Sequence, residues 1–199
     1  MIFTAHRVNS IAALKETPKC CGVEVDLRDS GNDIILAHDP FVPGEVFQDY
    51  LDVFDHEFII LNIKSERIEG RVLELIRSKG VNNFFFLDSS VPMVYSMTNQ
   101  GVRDIALRMS ELEPIEMVLK MSERVSWVWV DCFSTNPLFL EDFLHLKEIG
   151  LRVCLVSPEL QGRPNETEAY VKEIRERGYI PDMVCSKIEK RKIWKELCS

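Results

Sequence analysis

Two stretches of the sequence, GVEVDLR at residues 22–28 and FIILNIK at residues 58–64, decide the fold predicted for this chain. Val, Ile and Leu fill half of their positions, and these residue types favour a buried β-strand. Strand-forming runs that alternate with helical runs along a chain are typical of a parallel sheet. We therefore predict that both stretches are strands of one parallel sheet.

Runs of the same kind recur along the chain and alternate with runs of helical period. The predicted strands cover residues 2–6, 22–28, 58–64, 83–88, 104–109, 126–132, 152–157 and 183–187. Apolar side chains at helical spacing predict helices around residues 68–76, 115–119, 140–144 and 171–174. Eight strands alternating with helices predict a small (β/α)8 TIM barrel, an α/β fold that forms a single domain over residues 1–199. An open doubly wound sheet is the alternative, although no glycine-rich phosphate loop follows the first strand.

One segment interrupts this alternation. After Arg28, the turn-forming sequence Asp29-Ser30-Gly31-Asn32 precedes a short apolar run at residues 33–37. This pattern predicts a hairpin, a short excursion after the second strand, which ends in His38-Asp39-Pro40. Further along, the polar segment at residues 158–168 predicts a loop over one end of the barrel.

The composition is typical of an ordinary globular protein, with 46% hydrophobic and 28% charged residues. The formal net charge is -8 and the basic residues are scattered, so we expect no nucleic-acid partner. No apolar run approaches the ~20 residues of a membrane helix, and the N-terminus carries no secretory signal, so we expect no membrane span. The oligomeric state stays open.

The six cysteines lack the paired spacing of a zinc site. Cys132, Cys154 and Cys185 lie in apolar runs, where a free cysteine packs as a small hydrophobic side chain. Packing is the role expected for all six cysteines. This usage predicts a reducing, cytoplasmic location.

Strand alternation places Glu24, Asp26 and Arg28 on the face opposite to Val23 and its apolar neighbours. In a barrel the apolar face should contact the helices, and the charged face should point to the barrel axis. Two buried carboxylates are costly unless they are paired or bound to a metal. Their oxygens suit a hard divalent cation such as Mg²⁺ or Ca²⁺.

Two of the four histidines end predicted elements, where the catalytic groups of barrels cluster. His6 ends the first strand and His38 ends the excursion. Two imidazoles on either side of a scissile bond can act as general acid and general base near neutral pH. We expect the other two, His56 and His145, at solvated positions.

Lys64 ends the stretch at residues 58–64, so we expect its ammonium group at the barrel mouth, where it can hold a phosphate or a carboxylate. Further strand-end positions carry polar side chains that are candidates to line the same mouth: Asp88, Arg108, Asp131 and Lys187.

Three segments in this order, Ala5-His6-Arg7, Gly22-Val23-Glu24-Val25-Asp26 and Ala37-His38-Asp39, resemble the glycerophosphodiester phosphodiesterases. That family has a His-Arg-Gly start, a Glu-x-Asp on the second strand and a later His-Asp. The resemblance covers some thirty-five residues at the level of motifs, and beyond Lys64 it is architectural. Related sphingomyelinase-D-type enzymes have a similar site.

The resemblance implies a TIM barrel that uses a divalent metal, Mg²⁺ or Ca²⁺, to hydrolyse a small phosphodiester, such as a glycerophosphodiester of lipid metabolism. It implies that His6 and His38 are the acid and base, and that Glu24 and Asp26 bind the metal. It also implies that Arg7 contacts the phosphate.

Three positions depart from the family pattern. Val8 stands in place of the glycine after the first strand, so we expect a different loop path there. The Glu-x-Lys of the third strand reads Asn62-Ile63-Lys64, which keeps the lysine as a substrate-binding group and replaces the third carboxylate by an amide. The C-terminal threonine-aspartate reads Cys185-Ser186-Lys187.

The Asn62 substitution leaves alternatives open. The amide oxygen of Asn62 can still bind a hard cation, with weaker affinity because one charge is lost, and Asp88 and Asp131 are candidates to replace the missing carboxylate. A second hypothesis is a catalytically impaired barrel that binds a phosphate ligand. A third is an aldolase or isomerase that uses Lys64 as a Schiff-base amine.

Overall fold

The structure is a computed structural model that describes residues 1–198. Its strands, in chain order, are β1 Ile2–Ala5, β2 Gly22–Ser30, β3 Asp33–Leu36, β4 Glu45–Val46, β5 Phe58–Ile63, β6 Phe84–Leu87, β7 Ala106–Met109, β8 Trp127–Val130, β9 Arg152–Val156 and β10 Met183–Ser186. Its α-helices are α1 Ile11–Glu16, α2 Phe47–Asp52, α3 Glu69–Ser78, α4 Val91–Asn99, α5 Ile115–Met121, α6 Leu140–Glu148, α7 Thr167–Arg177 and α8 Arg191–Lys195.

The chain divides into two compact units. The first unit comprises residues 5–101, and the second unit comprises residues 1–4 together with the chain from residue 102 onward. Both units are built from strands that alternate with helices, so the fold is mixed α/β with a central sheet.

The sheet of the first unit has the order β4-β3-β2-β5-β6. Strands β2, β5 and β6 are parallel, whereas β3 and β4 add antiparallel pairs at one side. The β2–β5 register places Asp26 beside Asn62 and Glu24 beside Ile60. Every residue of β5 is buried, as is β2 from Gly22 to Leu27, so both strands lie in the interior on both faces.

The sheet of the second unit has the order β1-β10-β9-β8-β7, with parallel pairs from β7 to β10. The N–H of Ile2 donates to the carbonyl of Asp182 at 2.8 Å, which ties β1 to the segment just before β10. Buried aromatic and aliphatic side chains fill this unit, and the largest fully buried ones are Trp127 and Trp194.

The predicted strands agree closely with the observed ones. All eight occur, with ends that differ by at most two residues, and the predicted excursion is the β3 strand of an antiparallel hairpin with β2. The four predicted helices correspond to α3, α5, α6 and α7. Among the described residues, no helix combines the length and apolar character that a bilayer crossing requires.

Four helices were not predicted from the sequence: α1, α2, α4 and α8. Local signals for two of them were present. The Ser10 hydroxyl accepts the N–H of Ala13 and caps α1, and a proline stands in the first turn of α4. The loop predicted at residues 158–168 is wrong in part, because Pro158–Gln161 forms a 3-10 turn and Thr167 already begins α7.

Two smaller expectations also needed correction. His56 is not at the solvated position expected, because its side chain is only 3% exposed and its Nε2 lies 2.9 Å from the carbonyl oxygen of Thr17. Cys20 is exposed, whereas the packing role holds for the buried side chains of Cys21, Cys132, Cys154 and Cys185. The side chain of Cys198 lies outside the part that the structure describes.

Candidate active site

The seven predicted site residues all belong to the first unit, and they are His6, Arg7, Glu24, Asp26, His38, Asn62 and Lys64. They come from the loop after β1, from β2, from the segment after β3, and from the end of β5. The following contacts join them into one cluster.

The carboxylate of Glu24 is fully buried and both of its oxygens accept a hydrogen bond. Oε2 accepts the backbone N–H of Arg7 at 2.7 Å, and Oε1 accepts the Asn62 side-chain N–H at 2.8 Å. Burial and the neighbouring charge of Asp26 nevertheless raise the pKa of Glu24 from 4.5 to about 7. The two hydrogen bonds therefore do not fully offset the effect of burial on Glu24.

Asp26 lies two residues further along β2 and is also fully buried. Its Oδ2 accepts the Asn9 side-chain N–H at 2.8 Å, and its own N–H donates to Asn9 Oδ1 at 2.9 Å. Its Oδ1 receives no hydrogen bond, and the nearest cation there is the ammonium of Lys64 at 3.6 Å. Lys64 also contacts Asp88, with Nζ 3.2 Å from Oδ2, so it bridges two carboxylates.

His6 follows β1 directly, and its Nε2 lies 3.8 Å from Glu24 Oε2. Burial and the neighbouring charge of Arg7 lower the pKa of His6 from 6.5 to about 4, although Asp26 acts in the opposite direction. The imidazole is thus neutral at pH 7 in the free protein.

His38 is held between a donor and an acceptor. Arg7 Nη2 lies 2.5 Å from His38 Nε2, and His38 Nδ1 lies 2.8 Å from Asp39 Oδ1. A guanidinium only donates and an ionised carboxylate only accepts. The contacts therefore select the neutral tautomer of His38 with its hydrogen on Nδ1 and a lone pair on Nε2. This bond is also the main reason why the pKa of Asp39 is lowered.

The loop after β1 is attached to β2 despite the missing glycine. Val8 is buried, and its N–H donates to the carbonyl of Glu24 at 2.8 Å. The left-handed residue of this loop is Arg7, with φ of 54°, and Val8 has no positive φ. Position 8 therefore does not need glycine, and the backbone strain falls on a residue that contacts both Glu24 and His38.

The oxygens present fit a hard divalent cation. Asp26 Oδ1 and Asn62 Oδ1 are buried and accept no hydrogen bond, and Glu24 adds a second buried carboxylate. Carbonyl and carboxylate oxygens are the ligands that Mg²⁺ and Ca²⁺ prefer. Among residues 1–198, no group of three or more His, Cys, Asp or Glu side chains could hold a metal ion, in keeping with the amide at position 62.

The other polar strand ends divide between the two units. Asp88 lies in the first unit, in contact with Lys64 as described. Asp131 lies in the second unit, where Arg108, Trp129 and Gln161 donate to its carboxylate. Lys187 is exposed, and its N–H donates to Glu159 at 3.1 Å.

Two residues of the cluster were not singled out as site residues. Asn9 was missed because its side chain reaches Asp26 seventeen positions away, and no local pattern signals such a contact. Arg28 was expected on the polar face of β2 without a role, and its guanidinium binds the carbonyls of His38 and Lys64.

Two buried carboxylates on a parallel strand of a mixed α/β sheet are the main feature of this unit, and comparison with known proteins shows which folds are similar to it. No family model matches the sequence, and no curated protein sequence matches it either. Solved structures do match over nearly the whole chain.

Three of these structures are glycerophosphodiester phosphodiesterases by their descriptions. The protein so assigned from Galdieria sulphuraria has a TM-score of 0.73 at 15% identity, covering 100% of this chain and 98% of its own. The one from Agrobacterium tumefaciens has 0.68 at 12% identity, covering 98% and 99%. The one from Parabacteroides distasonis has 0.65 at 14% identity, covering 98% and 86%.

At these identities the likeness shows the fold. The mixed α/β fold with a central sheet is therefore confirmed, and the structures that share it carry the family description to which the motifs point.

Proposed function

We propose that this protein is a phosphoric diester hydrolase that cleaves a small phosphodiester, with a glycerophosphodiester as the first candidate. One observation carries the proposal. Arg7 joins the buried carboxylates of β2 to the histidine after β3, because its backbone N–H binds Glu24 and its guanidinium binds His38. A histidine, two carboxylates and a second histidine thus meet around one cation. The likeness to glycerophosphodiester phosphodiesterases supports the same conclusion.

The closure of the eight strands into a (β/α)8 barrel, as a single domain over residues 1–199, is part of this proposal. It is supported by the eight strand–helix repeats and by the solved structures that share the fold.

A divalent cation, Mg²⁺ or Ca²⁺, would be held by Glu24, Asp26 and Asn62. When bound, such a cation offsets negative charge on the phosphoryl oxygens and polarises the phosphorus centre. It would also compensate the two buried carboxylates, whose mutual repulsion contributes to the raised pKa of Glu24. Support for this part comes from the two buried oxygens, on Asp26 and Asn62, that accept no hydrogen bond.

The remaining residues supply charge and proton transfer. Arg7 and Lys64 bind the phosphate and stabilise the charge that develops during cleavage. When the Arg7 guanidinium moves from His38 Nε2 to the phosphate, the lone pair on Nε2 takes a proton from the attacking water, while Asp39 holds the ring from the other side. His6 donates a proton to the leaving alkoxide, and the bound phosphate anion favours its protonated form.

The proposed substrate size and location rest on the distribution of basic residues and of cysteines. The substrate is a small molecule, since the basic residues are scattered and the site uses two of them. A cytoplasmic location is proposed from the cysteine usage, with four of the five described cysteine side chains buried as small apolar groups.

The test compares glycerophosphocholine with bis(p-nitrophenyl) phosphate in the presence of Mg²⁺ or Ca²⁺. We expect His6→Ala and His38→Ala each to lower kcat by about 10²-fold or more. The His6→Ala loss should be smaller on the nitrophenyl ester, because that leaving group needs no acid, whereas His38→Ala should affect both substrates alike. His145→Ala is the matched control, since His145 is exposed and lies in the second unit. Absence of turnover with both substrates and both metals contradicts the proposal.

One observation favours a second candidate, a phosphate-binding protein with impaired catalysis. Asn62 gives its N–H to Glu24 and offers a neutral oxygen where the family has a carboxylate. In that case glycerophosphocholine binds without turnover, and calorimetry detects it while product assays stay blank. Turnover that His6→Ala abolishes eliminates this candidate. Lys64 is paired with Asp26 and Asp88, so no observation favours the Schiff-base alternative.

A further inference from the structure

Arg28 is the last residue of β2 before its exposed end, and its side chain is half-buried. Main-chain hydrogen bonds attach β2 to the residue just before His38 and to the N–H of Lys64. Asp26 O accepts the N–H of Ala37 at 3.0 Å, and Leu27 O accepts the N–H of Lys64 at 2.9 Å. The next residues on either side, His38 and the carbonyl of Lys64, lie beyond these bonds.

The guanidinium of Arg28 adds side-chain hydrogen bonds to the carbonyls of both His38 and Lys64. Its Nε and Nη2 donate to the carbonyl of His38 at 3.1 and 2.8 Å. Its Nη1 donates to the carbonyl of Lys64 at 2.9 Å. Each of the three nitrogens therefore binds a main-chain oxygen of a site residue. Because the guanidinium is planar and rigid, it holds the two carbonyl oxygens at a fixed distance and angle from each other.

We propose that Arg28 is a positioning residue, which holds the main chain of His38 and Lys64 so that their side chains keep a fixed relation to each other. The kinetic consequences of this role rest on the proposed function. Its structural consequences rest on the contacts alone. Arg28 acts through His38 and Lys64, whose carbonyls it binds.

Release of the His38 carbonyl would let the backbone at residue 38 rotate. The imidazole would then lose its place between Arg7 and Asp39, which is what selects the Nδ1–H tautomer. The tautomer of His38 therefore reports on Arg28 without any need for turnover. The chain has four histidines, so their side-chain resonances can be assigned by single replacements.

The first measurement is a long-range ¹H–¹⁵N correlation spectrum of the histidine side chains at pH 8, in the whole protein. We expect a single Nδ1–H tautomer for His38 in the wild type and a mixture of both tautomers in Arg28→Met. Arg28→Lys, which keeps the charge and loses the fork, should give an intermediate mixture. Arg77→Met, an exposed arginine on α3 of the same unit, should leave the spectrum unchanged. An unchanged His38 signal in Arg28→Lys and Arg28→Met overturns the proposal.

The second measurement is a double-mutant cycle with bis(p-nitrophenyl) phosphate as substrate. We expect Arg28→Met to lower kcat by about 10- to 100-fold with little change in KM, the size expected for displaced catalytic groups. In the His38→Ala background the same change should cost under about 3-fold, since residues that act through one another are not additive. A raised KM with unchanged kcat would make Arg28 a phosphate ligand instead, and full additivity would remove the link to His38.

The two measurements separate this proposal from the proposed function. If no variant turns over any phosphodiester, the proposed function fails while the tautomer spectra still decide the role of Arg28. If turnover is present and the tautomer of His38 does not respond to Arg28, the function stands and the positioning role fails.

Discussion

Asn9 and Asp26 exchange two hydrogen bonds across seventeen residues of sequence. The Asn9 amide N–H donates to Asp26 Oδ2 at 2.8 Å, and the Asp26 backbone N–H donates to Asn9 Oδ1 at 2.9 Å. The same loop carries His6 and Arg7, and Val8 is bonded to the carbonyl of Glu24. With the Arg7 N–H that donates to Glu24 Oε2, the loop and the strand are joined at four points, which fixes the histidine against the carboxylates.

Replacement of Asn9 should damage both stability and activity. Asn9→Ala leaves the Asp26 N–H and one carboxylate oxygen without partners in a buried place, which costs about 1–3 kcal/mol of the free energy of unfolding. Asn9→Asp keeps the acceptor but sets a third carboxylate beside Asp26, so its kcat should fall further. Urea denaturation and steady-state kinetics measure the two effects. Asn82→Ala is the control, because Asn82 is an exposed asparagine of the same unit; equal effects at both positions would contradict the prediction.

The pH dependence of stability should show two opposing contributions in metal-free protein. The folded-state pKa of Glu24 is raised from 4.5 to about 7, so its burial costs stability as pH rises from about 4.5 to about 7. The folded-state pKa of His6 is lowered from 6.5 to about 4, so its burial costs stability as pH falls from about 6.5 to about 4. Between about pH 4.5 and 6.5 the two slopes largely cancel.

Glu24→Gln should expose the contribution of His6. In this variant His6 still binds a proton in the unfolded state and not in the folded state between about pH 4.5 and 6.5. The free energy of unfolding should therefore rise with pH by about 1.4 kcal/mol per pH unit relative to wild type over this range. His6→Gln should show the opposite slope. Urea denaturation at several pH values with a chelator present provides the measurement, and parallel curves for wild type and both variants would refute the assignment.

Asn62→Glu should strengthen binding of a divalent cation. The variant adds the carboxylate that the family pattern has, and it removes the N–H that Asn62 donates to Glu24. We expect lower stability in chelator, because three like charges are then buried together, and an affinity for Mg²⁺ or Ca²⁺ higher by at least about tenfold, ~1.4 kcal/mol. Calorimetric titration measures the affinity, with Asn62→Gln as the uncharged control. No gain in affinity would place the cation elsewhere.

Glu159 should prove important for the stability of the second unit. Its carboxylate is buried and accepts hydrogen bonds from Ser157, Thr167, Ser186 and the backbone N–H of Lys187. Burial raises its pKa, and these bonds more than offset that, so the pKa is lowered overall. Its stabilising contribution is therefore present above pH 4.5 and is lost as the pH falls further.

Glu159→Gln replaces an acceptor oxygen by an amide that faces the donors. We expect a loss of about 2–3 kcal/mol in the free energy of unfolding, the range of a broken buried network. Glu168→Gln on the exposed face of α7 is the matched control. Equal denaturation midpoints for the two variants would show that the network contributes nothing.

The eight strands could be predicted because each is a short run rich in Val, Ile, Leu or aromatic residues, and such composition is a local property. The missed helices α1 and α2 have six residues each, too short for an apolar stripe to repeat. The 3-10 turn at Pro158–Gln161 was missed for another reason. Glu159 in this polar segment is buried by hydrogen bonds to residues up to 28 positions away, which a local pattern does not reveal.

Some features of the site could likewise be predicted from local sequence, and others could not. The residue types and their order, His6 with Arg7, Glu24 with Asp26, then His38, are written in consecutive short segments and needed no structure to be found. The contacts among them depend on strand register, since it is the β2–β5 pairing that sets Asn62 beside Asp26.

By itself, the sequence determined the alternation of strands and helices and the kinds of chemical group that end the strands, because both follow from the order of side chains along one segment. The tertiary structure alone decided that Asn9 binds Asp26, that Arg28 binds the carbonyls of His38 and Lys64, and that Val8 needs no positive φ. Hydrogen bonds between residues 10 to 36 positions apart form only when distant segments reach one register, and that register is a property of the packed sheet.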